Sequence, residues 1–105
     1  MVVAVILARM QSKRIARKNF RKLLEWPLVV WTLEAARQSK VDRIATSSDD
    51  LDILDLAEEF GFAVLRSAEL ATDDAPDAPA IRHALESIQP SGYDKDDIVI
   101  HLRPT

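Results

Sequence analysis

The 105-residue chain carries 14 basic and 17 acidic residues, for a formal net charge of −3, and it contains no cysteine. The negative balance gives no bulk attraction to nucleic acid or to an anionic membrane, and the absent thiols exclude disulfides, thiolate zinc sites and cysteine nucleophiles. A hydrophobic fraction of 48% predicts one soluble globular domain, and no apolar run is long enough to cross a bilayer. Because no signal-peptide pattern is present, the sequence predicts a cytoplasmic protein without nucleic-acid or membrane partners.

Positive charge is concentrated in one stretch near the N-terminus, residues 9–22. This basic stretch holds half of the chain's basic residues: Arg9, Lys13, Arg14, Arg17, Lys18, Arg21 and Lys22. The first acid is Glu25, so the chain beyond the basic stretch carries seven bases against 17 acids. A basic run is most often a solvated face, but such segregation also suits a partner with concentrated negative charge.

The position of the basic stretch favours the second interpretation. It follows a continuously apolar, β-branched run at residues 2–8, which predicts a central parallel strand buried on both faces. Ligands of open parallel sheets bind beyond the carboxyl ends of the strands. Neither the glycine motif of a P-loop nor that of a dinucleotide fold is present. We therefore expect backbone N–H groups, Ser12 and several cations to surround the polyphosphate of a nucleotide.

A helix is predicted after the basic stretch. Pro27 is expected in its first turn, where proline is tolerated, and Gln38 near its end. Leu28, Trp31 and Ala35 recur at helical spacing and predict its buried face, and Leu33 and Ala36 widen that face. An exposed tryptophan in this position could stack on a base, but the spacing favours packing in the core.

The second strand and second helix are predicted at residues 43–48 and 51–60. Ser48 or Asp49 is expected to cap the helix, because a side-chain oxygen there can accept a backbone N–H of the first turn. The pair Asp49–Asp50 has an alternative role as a magnesium ligand set. Capping and the helix dipole explain the pair adequately, so we favour the structural role.

Three further elements complete the pattern. They are a strand at residues 62–65, a helix that begins near Asp77 after an irregular polar segment, and a fourth strand at residues 97–102. His83 and His101 fall on different elements without metal-ligand spacing, so no zinc site is predicted. The alternation of strands and helices predicts a three-layer α/β/α sandwich with a parallel, Rossmann-like sheet in the order 3-2-1-4. Strands 1 and 4 then flank the switch point, where Arg9 and Arg103 leave the sheet.

Several motifs occur in one order along the chain: Ile6-Leu7-Ala8-Arg9, Ser12-Lys13-Arg14-Ile15, Arg17-Lys18-Asn19, Ser47-Ser48-Asp49-Asp50, Leu65-Arg66-x-Ala68-Glu69-Leu70-Ala71 and Leu102-Arg103-Pro104-Thr105. In these motifs the sequence resembles the N-terminal half of acylneuraminate cytidylyltransferases, the CMP-sialic acid synthetases. The resemblance implies a fold of the nucleotide-diphospho-sugar transferase type. It also implies that residues 1–105 are the N-terminal part of a nucleotidyltransferase domain, in which CTP and an acidic nine-carbon sugar (N-acylneuraminate) give a CMP-sugar and pyrophosphate.

The resemblance also implies roles for particular residues. The triphosphate would be held by Arg9, Ser12, Lys13, Lys18 and Asn19. Lys18 would be the catalytic cation, closest to the charge that develops on the phosphates. Cytosine and ribose would be faced by Arg66, Ala75, Asp77 and Arg103. Mg²⁺ is the implied cofactor, with its ligands in the part of the family's chains beyond this sequence, so no metal ligand is assigned here.

Departures from the family pattern keep two alternatives open. Met10-Gln11 replaces a small pair, Ala16 a proline, Asp77 a serine or threonine, and Arg103 a glutamine. Members of the family are also about twice as long. The chain could instead belong to a nucleotidyltransferase for a related acidic sugar, such as legionaminic or pseudaminic acid, or be a truncated non-catalytic binding module. We expect residues 1–105 alone to be inactive, and the bare edge of strand 4 to allow a homodimer or edge-strand association.

Overall fold

The computed structural model describes residues 1–8, 22–23, 26–67, 77–89 and 97–102. Its elements in chain order are β1 (Val2–Leu7), β2 (Lys22–Leu23), β3 (Trp26–Pro27), α1 (Leu28–Gln38), β4 (Arg43–Ser48), α2 (Leu51–Ala57), β5 (Phe62–Leu65), α3 (Asp77–Ser87) and β6 (Ile98–Leu102). The short antiparallel pair β2–β3 was not predicted from the sequence. It directly precedes α1 and pairs Lys22 with Pro27.

The main sheet has four parallel strands in the order β5-β4-β1-β6. These are the four predicted strands, and the order confirms the predicted 3-2-1-4. β1 is central because its apolar run is paired on both sides, with Ile6 opposite Thr46 of β4 and Leu102 of β6. Right-handed crossovers place the helices on the two faces of such a sheet.

Side chains of β1 alternate between the two faces of the sheet and contribute to two separate hydrophobic cores. Ala4, Ile6 and Ala8 face α1 and α2, whose buried side chains include Val29 and Ile53. The intervening side chains of β1 face α3 and pack with this cluster: Val3, Val5, Leu7, Ala45, Val64, Ala80, Ala84 and Ile88. Since successive residues of a strand point to opposite faces, an all-apolar run is what a doubly covered strand requires.

The structure confirms the predicted burial of Leu33 and Ala36 in α1 but corrects the rest of the predicted face. The fully buried residues of the helix are Val29, Leu33 and Ala36, whereas Ala35 is exposed and Trp31 is 36% exposed. The first turn is apolar all round, so periodicity alone could not select the face that meets the sheet. The prediction that Trp31 packs in the core is therefore wrong.

α2 begins at Leu51 as predicted, but its capping residue and its C-terminal end differ from the prediction. Asp50, not Ser48 or Asp49, is the N-cap, and the helix ends at Ala57 instead of residue 60. Phe60 still packs against the core, and the Arg37 guanidinium lies 4.8 Å from its ring centroid. Arg37 also donates to Glu34, and this hydrogen bond lowers the pKa of the Glu34 carboxyl below its usual value.

Candidate functional site

The carboxyl ends of the four parallel strands meet at one edge of the sheet. β1 ends at Leu7, next to the basic stretch, and its neighbour β6 ends at Leu102. The helix that follows β1 packs on one face, whereas the helix that precedes β6 packs on the other. Connections therefore diverge between β1 and β6, which is where ligands bind in folds of this class.

Polar side chains are buried at the carboxyl end of β4. Thr46, Ser47 and Ser48 are fully buried, and Asp50 and Arg66 are nearly so. Buried polar groups are costly unless they are hydrogen-bonded. Such a cluster at the edge of a sheet therefore needs a structural or functional explanation.

The backbone carbonyl of Ser47, in β4, accepts hydrogen bonds from residues that directly follow β1 and β5. It accepts the backbone N–H of Ala8 at 2.9 Å and a guanidinium N–H of Arg66, from Nη2, also at 2.9 Å. The backbone N–H of Arg66 donates to the Ser48 carbonyl at 2.8 Å. Arg66, which directly follows β5 and is only 6% exposed, thus links the ends of β5 and β4 beside the exit of β1.

Hydrogen bonds of the β4–α2 connection account for two more buried polar residues. The Ser48 hydroxyl accepts the backbone N–H of Asp50 at 2.9 Å, and Asp50 Oδ1 accepts the backbone N–H of Asp52 at 3.0 Å. The Asp50 carboxylate therefore caps α2, as the structural interpretation of the Asp49–Asp50 pair requires. Among the described residues, no three histidine or acidic side chains are grouped so that they could hold a metal ion.

Two buried hydroxyls at this edge have no hydrogen-bond partner within the described part of the chain, Thr46 Oγ1 and Ser47 Oγ. Alternation places Thr46 on the α1–α2 face and Ser47 on the α3 face. Ser47 belongs to one of the motifs that carry the resemblance, but the sequence assigned neither hydroxyl a role in the site. The available signal was three consecutive hydroxyl residues, Thr46-Ser47-Ser48, directly after the apolar pair Ile44-Ala45 of the same strand.

The predicted site residues divide into two groups. Arg66 lies at the carboxyl edge as just described, and Asp77 is half-buried in the first turn of α3, which packs on β1 and β4. The others lie outside the described residues: Arg9, Ser12, Lys13, Lys18, Asn19, Ala75 and Arg103. The structure therefore assembles Arg66 with the hydroxyl-rich end of β4, next to the point where the basic stretch begins.

No helix in residues 26–67 or 77–89, where the described helices lie, is both long and apolar enough to span a membrane.

Comparison with known proteins shows the family to which the chain belongs. The sequence profile of a family described as cytidylyltransferase matches residues 3–100. The chain is 38% identical over 86 residues to N-acylneuraminate cytidylyltransferase of Escherichia coli, covering 80% of this chain and 20% of that protein. It is 37% identical to CMP-N,N'-diacetyllegionaminic acid synthase of Legionella pneumophila, covering 99% of this chain and 46% of the relative.

Two further similarities extend the comparison. The pseudaminic acid cytidylyltransferase of Campylobacter jejuni is 37% identical over 90 residues, which are 83% of this chain and 39% of the relative. A solved structure of a CMP:2-keto-3-deoxy-manno-octonic acid synthetase complexed with CTP superposes with a TM-score of 0.74 at 21% identity, over 98% of this chain and 39% of that chain. At this identity the superposition supports the fold. The chain spans less than half the length of each of these relatives.

Proposed function

Because the chain belongs to the cytidylyltransferase family, we propose that it carries the CTP-binding half of an enzyme that transfers CMP from CTP to an acidic nine-carbon sugar. The observation that carries this proposal is the carboxyl edge of the sheet. There the nearly buried Arg66 is tied to the Ser47 carbonyl, beside the exit of β1 into the basic stretch. Cations at the switch point of a parallel sheet suit a triphosphate.

The proposed reaction is an in-line displacement at the α-phosphorus. The anomeric hydroxyl oxygen of the sugar bonds to that phosphorus, the bond to the bridging oxygen of the β-phosphate breaks, pyrophosphate leaves, and the hydroxyl proton passes to solvent. Most of the catalysis in such a reaction comes from positioning and from neutralising phosphate charge. We assign triphosphate binding to Arg9, Ser12, Lys13, Lys18 and Asn19, with Lys18 closest to the charge that develops.

Arg66, Ala75, Asp77 and Arg103 are assigned to the cytosine and ribose end of the nucleotide. A guanidinium has five N–H donors, so Arg66 can hold the Ser47 carbonyl and still offer donors toward a ligand. An arginine at position 103 can only donate, which restricts the base groups that it can recognise to acceptors. Mg²⁺ stays an expectation from the resemblance. Its ligands are expected in the part of the family's chains beyond this sequence.

N-acylneuraminate is the proposed sugar. The relative from Escherichia coli is named for it, whereas those from Legionella pneumophila and Campylobacter jejuni are named for legionaminic and pseudaminic acids. All three names describe acidic sugars activated as CMP conjugates. The identity of the sugar is therefore the finer part of the proposal, and a related acidic sugar is the alternative.

Calorimetric titration with CTP, ATP and inorganic triphosphate tests the nucleotide part of the proposal. We expect CTP to bind more tightly than ATP, and Lys18→Met to weaken CTP binding by about tenfold or more. Lys40→Met is the matched control, because Lys40 is exposed just after α1, at the opposite edge of the sheet, and should change the affinity less than about twofold. Equal affinity for all three ligands would indicate an unspecific anion site, and absence of binding would refute the proposal.

A non-catalytic binding module is the second candidate, favoured by Met10-Gln11 in the place of a small pair and by Arg103 in the place of a glutamine. We expect residues 1–105 alone to bind CTP without releasing pyrophosphate above background when N-acylneuraminate and Mg²⁺ are added. Pyrophosphate release by the 105-residue chain would contradict this expectation and would favour the catalytic assignment.

A further inference from the structure

The hydroxyl of Ser47 is fully buried, and its Oγ has no hydrogen-bond partner in the described part of the chain. The register neighbours of Ser47 are Leu7 of β1 and Val64 of β5, and both pack with Ala80 in the core under α3. Ser47 thus lies in the interior of the sheet, on the face that α3 covers. A buried hydroxyl without a partner has lost its hydration and gained no hydrogen bond in return, so it calls for an explanation.

Arg66 lies on the same face of the sheet as this hydroxyl. The parallel ladder continues one residue past β5, because the backbone N–H of Arg66 donates to the Ser48 carbonyl at 2.8 Å. Since side chains two apart in a strand share a face, Arg66 faces α3 as Val64 does. Its guanidinium reaches the Ser47 carbonyl, which accepts Nη2 at 2.9 Å, and the residue is only 6% exposed. The guanidinium and the hydroxyl are therefore buried together at the carboxyl edge.

The hydroxyl and the carbonyl of Ser47 are two hydrogen-bond acceptors on one residue. They are joined through Cβ, Cα and the carbonyl carbon, so a group that is hydrogen-bonded to the carbonyl lies close to the hydroxyl. A guanidinium is planar and carries five N–H donors in a fixed fork. A rotation of the Arg66 guanidinium about its hydrogen bond to the Ser47 carbonyl can therefore bring a second N–H to Oγ.

We propose that Ser47 Oγ is a positioning group for Arg66 and accepts this second N–H when a nucleotide is bound. The inference rests on the proposed function, in which Arg66 contacts the cytosine and ribose end of CTP. A ligand that accepts an N–H of the planar guanidinium fixes its rotation, and the hydrogen bond to Oγ fixes the same rotation. The two interactions favour each other, so loss of Oγ weakens nucleotide binding although Ser47 touches no ligand atom.

Thr46 provides an internal control, because its hydroxyl is equally buried and also has no partner among the described residues. Alternation directs it to the opposite face, where its register neighbours Ile6 and Ala63 pack in the core under α1 and α2. Arg66 lies on the other face, so the Thr46 hydroxyl does not orient it. Ser47→Ala and Thr46→Val each remove an unpartnered buried hydroxyl, so neither should lower the Tm of the ligand-free chain.

A double-mutant cycle on CTP affinity tests this proposal, with calorimetry on the full 105-residue chain and thermal unfolding in parallel. Ser47→Ala should raise the Kd for CTP about fivefold in the wild-type background, but less than about twofold in the Arg66→Met background. Ser47→Cys keeps a side chain of similar shape and offers sulfur, a weak acceptor, so it should give the same result. Thr46→Val is the matched control and should leave the Kd within about twofold.

Loss of the Ser47 effect in the Arg66→Met background would support the proposal, because a merely structural role of the hydroxyl would act in both backgrounds. Equal CTP affinity of the wild-type and Ser47→Ala chains, or an equal loss of affinity with and without Arg66, would overturn it and leave the proposed function standing. A Ser47→Ala chain whose Tm falls together with its affinity would overturn it too. A wild-type chain that does not bind CTP would overturn the proposed function as well.

Discussion

The amino and carboxyl ends of the four-stranded sheet are held by different kinds of group. At the amino end, carboxylates bind backbone groups: Oδ2 of the exposed Asp42 accepts the Val2 N–H at 2.7 Å, and Oδ1 of Asp97, whose side chain is only 8% exposed, contacts the N-terminal ammonium of Met1 at 3.1 Å. At the carboxyl end, a nearly buried cation, Arg66, donates to the Ser47 carbonyl at 2.9 Å.

Under the proposed function, this difference separates structural support at the amino end from nucleotide recognition at the carboxyl end. The Asp42 carboxylate needs only to close the end of a strand, because water can reach its remaining oxygen lone pairs. A guanidinium buried at the other edge costs desolvation, and that cost is tolerated where it positions strand ends around a ligand. We therefore expect substitutions at the amino end to change stability alone, and Arg66 substitutions to change stability and nucleotide affinity together.

Gly61→Ala, at the amino end, should have the largest effect. A Cβ at this position would lie 2.4 Å from the Ile44 carbonyl oxygen, with φ at +159°. The clash is with backbone and cannot be relieved by a side-chain rotation, so we expect a loss of about 3 kcal/mol in the free energy of unfolding, measured in urea. Glu59→Ala, exposed two residues earlier, is the control. The CTP affinity of the folded fraction should be unchanged. A loss of less than about 1 kcal/mol in the free energy of unfolding would contradict the prediction.

Arg66→Met should come next, and it tests the carboxyl end. The Ser47 carbonyl keeps the Ala8 N–H as a donor, so the expected cost in the free energy of unfolding is limited to about 1–2 kcal/mol. CTP affinity measured by calorimetry should fall about tenfold. Arg82→Met, on the exposed side of α3, provides the control for loss of one positive charge. If stability falls while affinity is preserved, Arg66 is purely structural.

Variants of Asp50 distinguish helix capping from metal binding at the carboxyl end of the sheet. Asp50→Ala removes the acceptor of the Asp52 N–H and should lower the free energy of unfolding by about 1 kcal/mol. Asp50→Asn keeps an acceptor oxygen and should cost only a few tenths of that amount. Thermal unfolding with and without Mg²⁺ provides the measurement. Stabilisation by Mg²⁺ that disappears in Asp50→Asn would reverse our preference for capping over metal binding.

Asp42→Ala should have the smallest effect. Its carboxylate accepts the Val2 N–H in an exposed position, where water can replace it, so we expect a loss of about 0.5 kcal/mol. Asp55→Ala, exposed on α2, is the control for removing one negative charge. Urea unfolding gives the stability, and CTP titration should show no change. A fall in CTP affinity would mean that the two ends are coupled through β1.

Sequence reasoning succeeded where one signal had one structural meaning. The apolar, β-branched run of β1 can only be a doubly covered strand, and β4 and β5 have the predicted bounds, residues 43–48 and 62–65. It failed where two faces were equally apolar, as in α1, and where a neighbouring acid offered a better cap, as at Asp50. Arg66 was singled out through the resemblance, but its inward hydrogen bond to Ser47 has no local sequence signal.

By itself, the sequence determined the number and order of the parallel strands, because hydrophobic period, chain connectivity and crossover handedness are local or general constraints. It also determined where positive charge follows β1. Only the tertiary structure decided which side of α1 is buried and how Ser47 and Arg66 are joined. Those outcomes depend on which surfaces compete for the same sheet, and that competition is between residues distant in the chain.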